Sequence, residues 1–405
     1  MSITSEVGRL REVILHRPGL ELKRLTPANK DMLLFDELIW VSKAQEEHDS
    51  FARLLRDRGV AVRLFAELVT DVVTDAEIAA EVIARRATED TCGVELVDRV
   101  RGFLSDLPPA DLADHLIGGL TVDEVPGAGE GFVGGVLGPT AFLVPPLPNA
   151  VFTRDPSAHL YGGRILSPMH KPARQPERLL WRTVYAHHPD LAGRPLWYGD
   201  RDADYFPATI EGGDVLVLGD RAIAVGVSER TSPIAVENLA ARLFAADEVD
   251  FVLAVELPVG RGTMHLDTVM SLLDRDAIVV WPRLPSVART HRIEPGRSGG
   301  AAGPTMAVRE EPDLLRAVAE AMSVDDLRVI TTGEDEVASD REQWDDGNNT
   351  LAIGPGEVIA YERNTDTNRR MRDAGITVHE ISSYELPRGR GGPRCMSCPV
   401  VRDPL

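Results

Sequence analysis

Cysteine is scarce in this chain, with three in 405 residues. So few, and an odd number, exclude a disulfide framework and fit a reducing cytoplasm. Basic charge is also short. Lys+Arg total 44 against 64 Asp+Glu, a formal charge of −20, which excludes a nucleic-acid binder built on a positive surface. Long apolar runs are missing. Each is broken by charge, Gly or Pro before the ~18 residues a membrane span needs. Residues 1–6 (MSITSE) carry no basic stretch followed by an apolar one, so no signal peptide is expected. No GxGxxG or P-loop stands between a strand and a helix, so no nucleotide cofactor is expected. What is present, 43% hydrophobic and 27% charged residues, is the balance of a globular protein long enough for two or three domains.

Strand and helix patterns alternate. LREVIL (10–15) is expected as a strand stopped by Pro18-Gly19. Ser42 to Gln45 has the form of a capping box for a helix through Asp57, and VAVRL (60–64) returns as a strand. From Thr74-Asp75-Ala76-Glu77 onward the signals are helical. Residues 75–140 are expected to form an all-helical insertion whose Gly-rich tail, 126–139, is a surface loop.

Beyond Leu147 a pattern recurs, in which a polar cluster precedes an apolar strand, a tight turn and a second apolar strand. Phe152-Thr153-Arg154-Asp155 precedes AHLYGGRIL. Glu211-Gly212-Gly213-Asp214 precedes VLVLGDRAIAVGV. His265-Leu266-Asp267-Thr268 precedes VMSLLDRDAIVVW, and Asp345 to Asn349 precede TLAIGPGEVIAY. Ser5-Glu6 before LREVIL is a degenerate first copy. Helices follow several copies, one opened by Ser232-Pro233, one over 312–322, and one capped by Thr365 and ended by Gly375. About five hairpin-plus-helix units suggest radial repetition, with the polar clusters converging at one end of the axis.

Each copy brings a different polar group: Asp155, Glu211 with Asp214, His265 with Asp267, and the Asp346 region. The last segment adds Cys395. One Cys, one His and several carboxylates suit a thiolate nucleophile, a proton shuttle and a cation clamp. Carboxylates beside a thiol raise its pKa and disarm it. The set makes sense if the substrate is itself a cation, and a planar guanidinium matches paired carboxylates best. Any one of these acids alone is a turn or cap residue, so the weight lies in the repetition. Cys395-Met396-Ser397-Cys398 also admits a redox pair or half of a zinc site. It has no second CxxC, no His at ligand spacing and no strand-to-helix setting, so no metal is expected. Pro387 to Arg394, with three glycines and three arginines, has the composition of a lid.

Six stretches, LTPANKDMLLFDELIWV (25–41), LPNAVFTRDP (147–156), IEGGDVLVL (210–218), MHLDTV (264–269), EQWDDGNNTLAI (342–353) and GRGGPRCMSCP (389–399), resemble the bacterial arginine deiminases of the guanidino-modifying superfamily. The resemblance spans nearly the whole chain. It implies an α/β fold: a five-bladed pentein-type propeller of ββαβ units over 1–74 and 141–405, with 75–140 as the inserted helical domain. It implies hydrolysis of L-arginine to L-citrulline and ammonia through a covalent amidino-cysteine, without a cofactor. Carried over by position, Cys395 resembles the nucleophile, His265 the general acid and then base, and Glu211 its partner. Asp155 and Asp267 resemble the guanidinium clamp. Asn149, Arg174 and Arg230 resemble contacts to the substrate carboxylate, with Arg390 from the lid. Leu34, Phe152 and Asp214 are assigned to the substrate wall. Arg394 stands where some relatives carry His, which implies altered lid electrostatics or pH dependence. A cytoplasmic homo-oligomer is implied. Amidinotransferase, agmatine deiminase, dimethylarginine hydrolase and a non-catalytic arginine-binding protein remain alternatives. Arg174 and Arg230 would lack a partner on agmatine, which has no carboxylate.

Overall fold

The computed structural model describes residues 3–296 and 306–405. Met1 and Ser2 of the N-terminal stretch discussed above lie outside them. Among the described residues no helix is long and apolar enough to cross a membrane.

Five sheets share one plan: an antiparallel pair of strands, and a third strand parallel to one of them, mostly reached through a helix. Ser157–Leu160, Gly163–Leu166 and Leu196–Tyr198 form one, with the helix Glu177–His187 before the third strand. Val215–Gly219, Ala222–Val227 and Phe251–Glu256 form the next, with the helix Pro233–Ala245. Met270–Asp274, Ala277–Val280 and Arg328–Thr331 follow, then Leu351–Gly354, Glu357–Tyr361 and Thr377–Ile381. The remaining sheet is closed by the two ends of the chain. Leu10–Leu15 runs parallel to Ala61–Leu64 and antiparallel to Cys398–Arg402. The antiparallel pairs at 157–166, 215–227, 270–280 and 351–361 are buried along nearly their whole length, with Val225, Ile278 and Val358 fully enclosed. They have no wet face, which is why they read as continuous apolar runs, whereas Ala61–Leu64, Arg328–Thr331 and Thr377–Ile381 are partly exposed.

Helices fill most of 65–137, starting at Phe65, where the strand Ala61–Leu64 ends. They share a core with the helix Glu177–His187, Phe65 stacking on Trp181 at 4.5 Å between ring centroids. Several local expectations shift. The helix expected to start from the Ser42 box begins at Val41, with Trp40 at the N-cap and no side-chain cap. The Trp40 N–H donates to Glu385 at 2.8 Å, so a distant contact fixes this entry and Ser42 falls inside the helix. Asp75, rather than Thr74, caps Ala76–Arg86 by accepting from the N–H groups of Glu77 and Ile78. The tail expected as a loop holds a helix, Phe132–Leu137. Gly134 permits it, since a Cβ there would lie 1.9 Å from the Ala128 carbonyl oxygen. The hairpin Arg289–Pro295 with Met306–Glu311 widens one sheet to five strands. Its outer strand is polar and largely exposed, so no apolar run announces it.

Candidate active site

The repeated polar clusters are the turns that lead into the first strand of each sheet, and hydrogen bonds join them in a closed circuit. The Arg154 N–H donates to the Cys395 carbonyl at 3.0 Å, and the Gly212 N–H to the Asp155 carbonyl at 2.9 Å. The Leu266 N–H donates to Asp214 Oδ1 at 2.8 Å. Asn349 Nδ2 donates to the Asp267 carbonyl at 3.1 Å, and the Cys395 N–H returns to Asn349 Oδ1 at 2.9 Å. Each turn is thus fixed by the next, and the side chains they carry point to one place. Buried backbone groups that would otherwise be orphaned are used to do this.

Cys395 is buried. Its Sγ lies 3.6 and 3.8 Å from the two oxygens of Asp267 and receives Asn349 Nδ2 at 3.1 Å. Burial pushes the thiol well above its ordinary range, and the charges of Asp267, Asp155 and Asp346 add to this, against Arg394. The free site therefore holds a protonated thiol.

His265 is gripped from both ring nitrogens. Nε2 lies 2.8 Å from Glu211 Oε2, and Nδ1 3.5 Å from Asp155 Oδ1. Burial alone would lower its pKa. The charge of Asp155, the hydrogen bond to Glu211 and the charge of Asp214 outweigh this and raise it to about 9. Glu211 is opposed by its own burial, yet the His265 hydrogen bond and the Arg230 charge hold it below the usual carboxylate range. At neutral pH this pair is imidazolium and carboxylate. Asp155 spends Oδ2 on Arg174 Nη1 at 2.5 Å, while Oδ1 makes no hydrogen bond although it is buried. Oδ1 thus faces the His265 charge at 3.5 Å but keeps its hydrogen-bonding capacity free for a further donor.

The cavity at Cys395 and His265 has room for about one water, some 20 Å³. Asp155, Arg174, Arg230 and Asn149 line it, as do Leu34, Phe152 and Arg390. Glu211 and Asp267 stand just behind, each bonded to a group that faces the cavity. Arg174 is fully engaged. Besides Asp155 it pairs with Glu177 at 2.9 Å and donates to the carbonyls of Asn149 and Phe152. Arg230 is buried 3.7 Å from Glu211, with its Nε unpaired. Arg390 adopts a left-handed backbone (φ 67°), lies 3.4 Å over the Trp344 ring and donates to the Trp344 carbonyl at 2.6 Å. Asn149 Nδ2 donates to the Leu33 carbonyl at 2.8 Å. Leu34 also has a positive φ, 68°, and its carbonyl accepts from Arg261 at 2.9 Å. Asp214 does not line the cavity. Its oxygens accept from the Leu266 N–H and the Ser228 hydroxyl, and burial raises it to about 7.

Arg394 is not a lid residue. It is 1% exposed and turned into the interior, bonded to Asp267 at 2.7 Å, to both oxygens of Glu6 at 3.2 Å and to the Val215 carbonyl at 2.7 Å. Lid electrostatics therefore cannot be its effect, because the side chain never reaches the lid. Asn349, Glu6, Arg261, Met264 and Thr268 are further members to which sequence reasoning gave no role. Asn349 had a usable signal, being one of the polar residues of the fourth cluster. Cys398 begins the closing strand and donates to the Ser157 carbonyl at 3.2 Å, away from the cavity. Asp155, Glu211 and His265 present ligand-type atoms within 4.8 Å of one another. Two of those atoms are already hydrogen-bonded together, and Arg174 and Arg230 supply the positive charge beside them. The group is better suited to a guanidinium than to a metal ion.

A family model described as arginine deiminase matches residues 31–402. The arginine deiminase of Mycobacterium avium is 47% identical over 100% of this chain and 99% of its own length. That of Rhodococcus jostii is 46% identical over 100% and 98%. Among solved structures, the amidinotransferase SxtG of Microseira wollei superposes with a TM-score of 0.57 at 15% identity, over 100% of this chain and 98% of its own. The DDAH of Pseudomonas aeruginosa, solved with citrulline, gives 0.53 at 15% identity, over 97% and 100%. At that identity the two structures speak for a shared mixed α/β fold.

Proposed function

The chain belongs to the arginine deiminase family, and we propose that its buried pocket hydrolyses L-arginine to L-citrulline and ammonia through a covalent amidino-cysteine at Cys395. The observation that carries this is a protonated thiol set among carboxylates, one of which offers an unfilled oxygen. A guanidinium seated against Asp155 and Asp267 cancels the charge that holds the thiol proton, which then leaves to solvent. The Cys395 thiolate attacks the guanidinium carbon, forming a C–S bond. His265, an imidazolium at neutral pH, gives its proton to one nitrogen as that C–N bond breaks and ammonia departs. The neutral imidazole then takes a proton from water as the water oxygen adds to the carbon. The C–S bond breaks, the remaining hydroxyl proton goes to sulfur, and citrulline, the thiol and the imidazolium are restored. The first proton, released to solvent, is the one ammonia takes up as ammonium.

Glu211 holds the imidazolium, and Asp214 positions His265 through the Leu266 N–H. Arg230, Arg174, Asn149 and Arg390 face the substrate's α-carboxylate end, with Leu34 and Phe152 as wall. For Arg174 this reading requires it to exchange part of its grip on Asp155 and Glu177 for the substrate. The five three-stranded units support a five-bladed α/β-propeller over 1–74 and 141–405, with 75–140 as the helical insertion. Three free cysteines fit a cytoplasmic protein, and we take it to be a homo-oligomer. Incubation with L-arginine is expected to yield equal citrulline and ammonia, and Cys395→Ala to yield neither. Absence of citrulline from the intact protein would reject the proposal.

A further inference from the structure

Away from Cys395, four arginines meet around a second cavity of about 280 Å³. Arg85 and Arg86 come from the helix Ala76–Arg86, and Arg178 and Arg182 from Glu177–His187. In a chain of charge −20, a single carboxylate lines this cavity, Asp202, and it is already bonded to Arg85 at 2.8 Å. Arg178 and Arg182 donate to the carbonyls of Gly199 and Arg201. Carbonyls orient a guanidinium but leave its charge in place. Arg86 is the most exceptional. It is 4% exposed, donates once to the Pro145 carbonyl at 2.6 Å, leaves Nε unpaired, and has no carboxylate partner among the described residues. Burial without a counter-charge lowers its pKa to about 10. Burial and the neighbouring charge of Arg182 lower that of Arg178 as well, and the Arg178 Nε is also orphaned. Gathering like charges and burying one without a partner is unfavourable unless an anion completes the site.

We propose that this cavity binds a phosphate-bearing small molecule. Guanidinium groups match phosphate oxygens in pairs, and four arginines against one carboxylate leave an excess of positive charge that favours a dianion over a single carboxylate. Gln175 and Pro176 line the same cavity. They stand between Arg174 and Glu177, the pair that braces Asp155. The occupant therefore touches the segment that sets Arg174, and the affinities for anion and substrate are linked reciprocally.

The test is isothermal titration of the intact protein with inorganic phosphate and, separately, with glycerol phosphate, at constant ionic strength. Saturable binding is expected, weakened about tenfold or more in Arg182→Gln and in Arg86→Gln. Arg182 is partly exposed, so its variant keeps the test open if the Arg86 variant fails to fold. Tighter binding of the monoester identifies an organic phosphate as occupant, and equal binding identifies free phosphate. No saturable binding, binding unchanged in Arg182→Gln, or sulfate binding as tightly as phosphate overturns the assignment. Saturating phosphate is also expected to change the KM for arginine by about twofold or more in the intact protein and not in Arg182→Gln. An unmoved KM overturns the linkage.

Discussion

On one side of the pocket the cation that answers the buried carboxylates is His265, which can give up its proton; on the other it is Arg394, which cannot. His265 sits between Glu211 and Asp155, Arg394 between Asp267 and Glu6. Both arrangements set a cation between buried carboxylates, beside a cavity with room for about one water. They differ in what they can do next. The His265 side can pass a proton to a leaving nitrogen and recover it from water. The Arg394 side is a fixed charge that holds Asp267 beside the thiol. Of the two cations, His265 alone exchanges protons with the reacting groups, and Arg394 serves position and field.

That division can be broken from either side. Glu211→Gln is expected to have the largest effect, lowering kcat by about 10²–10⁴. His265 loses a charge that raises its pKa from an ordinary value of about 6.5 to about 9. In the parent protein, activity that needs the imidazolium falls as pH rises through about 9. In the variant that alkaline limb of the pH–rate profile moves down. An unshifted limb would place the essential acid elsewhere. The same raised pKa contributes stability in full below about pH 6.5, and this is lost as pH rises through about 9. Melting temperature against pH follows it.

Arg394→Met leaves Asp267 and Glu6 buried and unpaired, and is expected to destabilise by about 3–5 kcal/mol in denaturant titrations. Its residual activity should keep the parent's alkaline limb, because that limb belongs to His265 and Arg394 itself exchanges no proton. Coincident shifts in both variants would erase the distinction between the two cations. Arg390→Ala is expected to raise KM about tenfold with kcat largely retained, since Arg390 rests on Trp344 and touches neither His265 nor Cys395. Asp346→Asn is the smallest change. Burial raises Asp346 to about 7, so its protonated form favours the fold below about pH 4 and this is lost towards pH 7. The variant's melting temperature should vary less across that window.

The ring of turns was legible because repetition made each weak signal count. Asp155, Glu211, His265 and Asp267 occupy equivalent places before apolar strands, and the circuit of hydrogen bonds is the physical form of that equivalence. The hairpins at 157–166, 215–227, 270–280 and 351–361 were legible for the same reason, as apolar runs around tight turns. Arg394 was misplaced because its partners, Glu6 and Asp267, are 388 and 127 residues away in sequence, and no local pattern reports which way a side chain turns. The entry at Trp40 was hidden for a related reason, since it depends on Glu385. The inner charges of Arg86 and Arg178 look in sequence like an ordinary solvated helix face. The packing of two helices buries Arg86 and half-buries Arg178.

The strand Cys398–Arg402, paired with Leu10–Leu15, also sets a schedule. Cys395 lies three residues before it, so the nucleophile reaches its carboxylates only when this strand has been made and has met Leu10–Leu15. Contacts of such long sequence separation form late and slowly. A growing chain on the ribosome therefore carries an unarmed site, and on refolding, the return of turnover should keep pace with the last structural phase and not with the first appearance of helix.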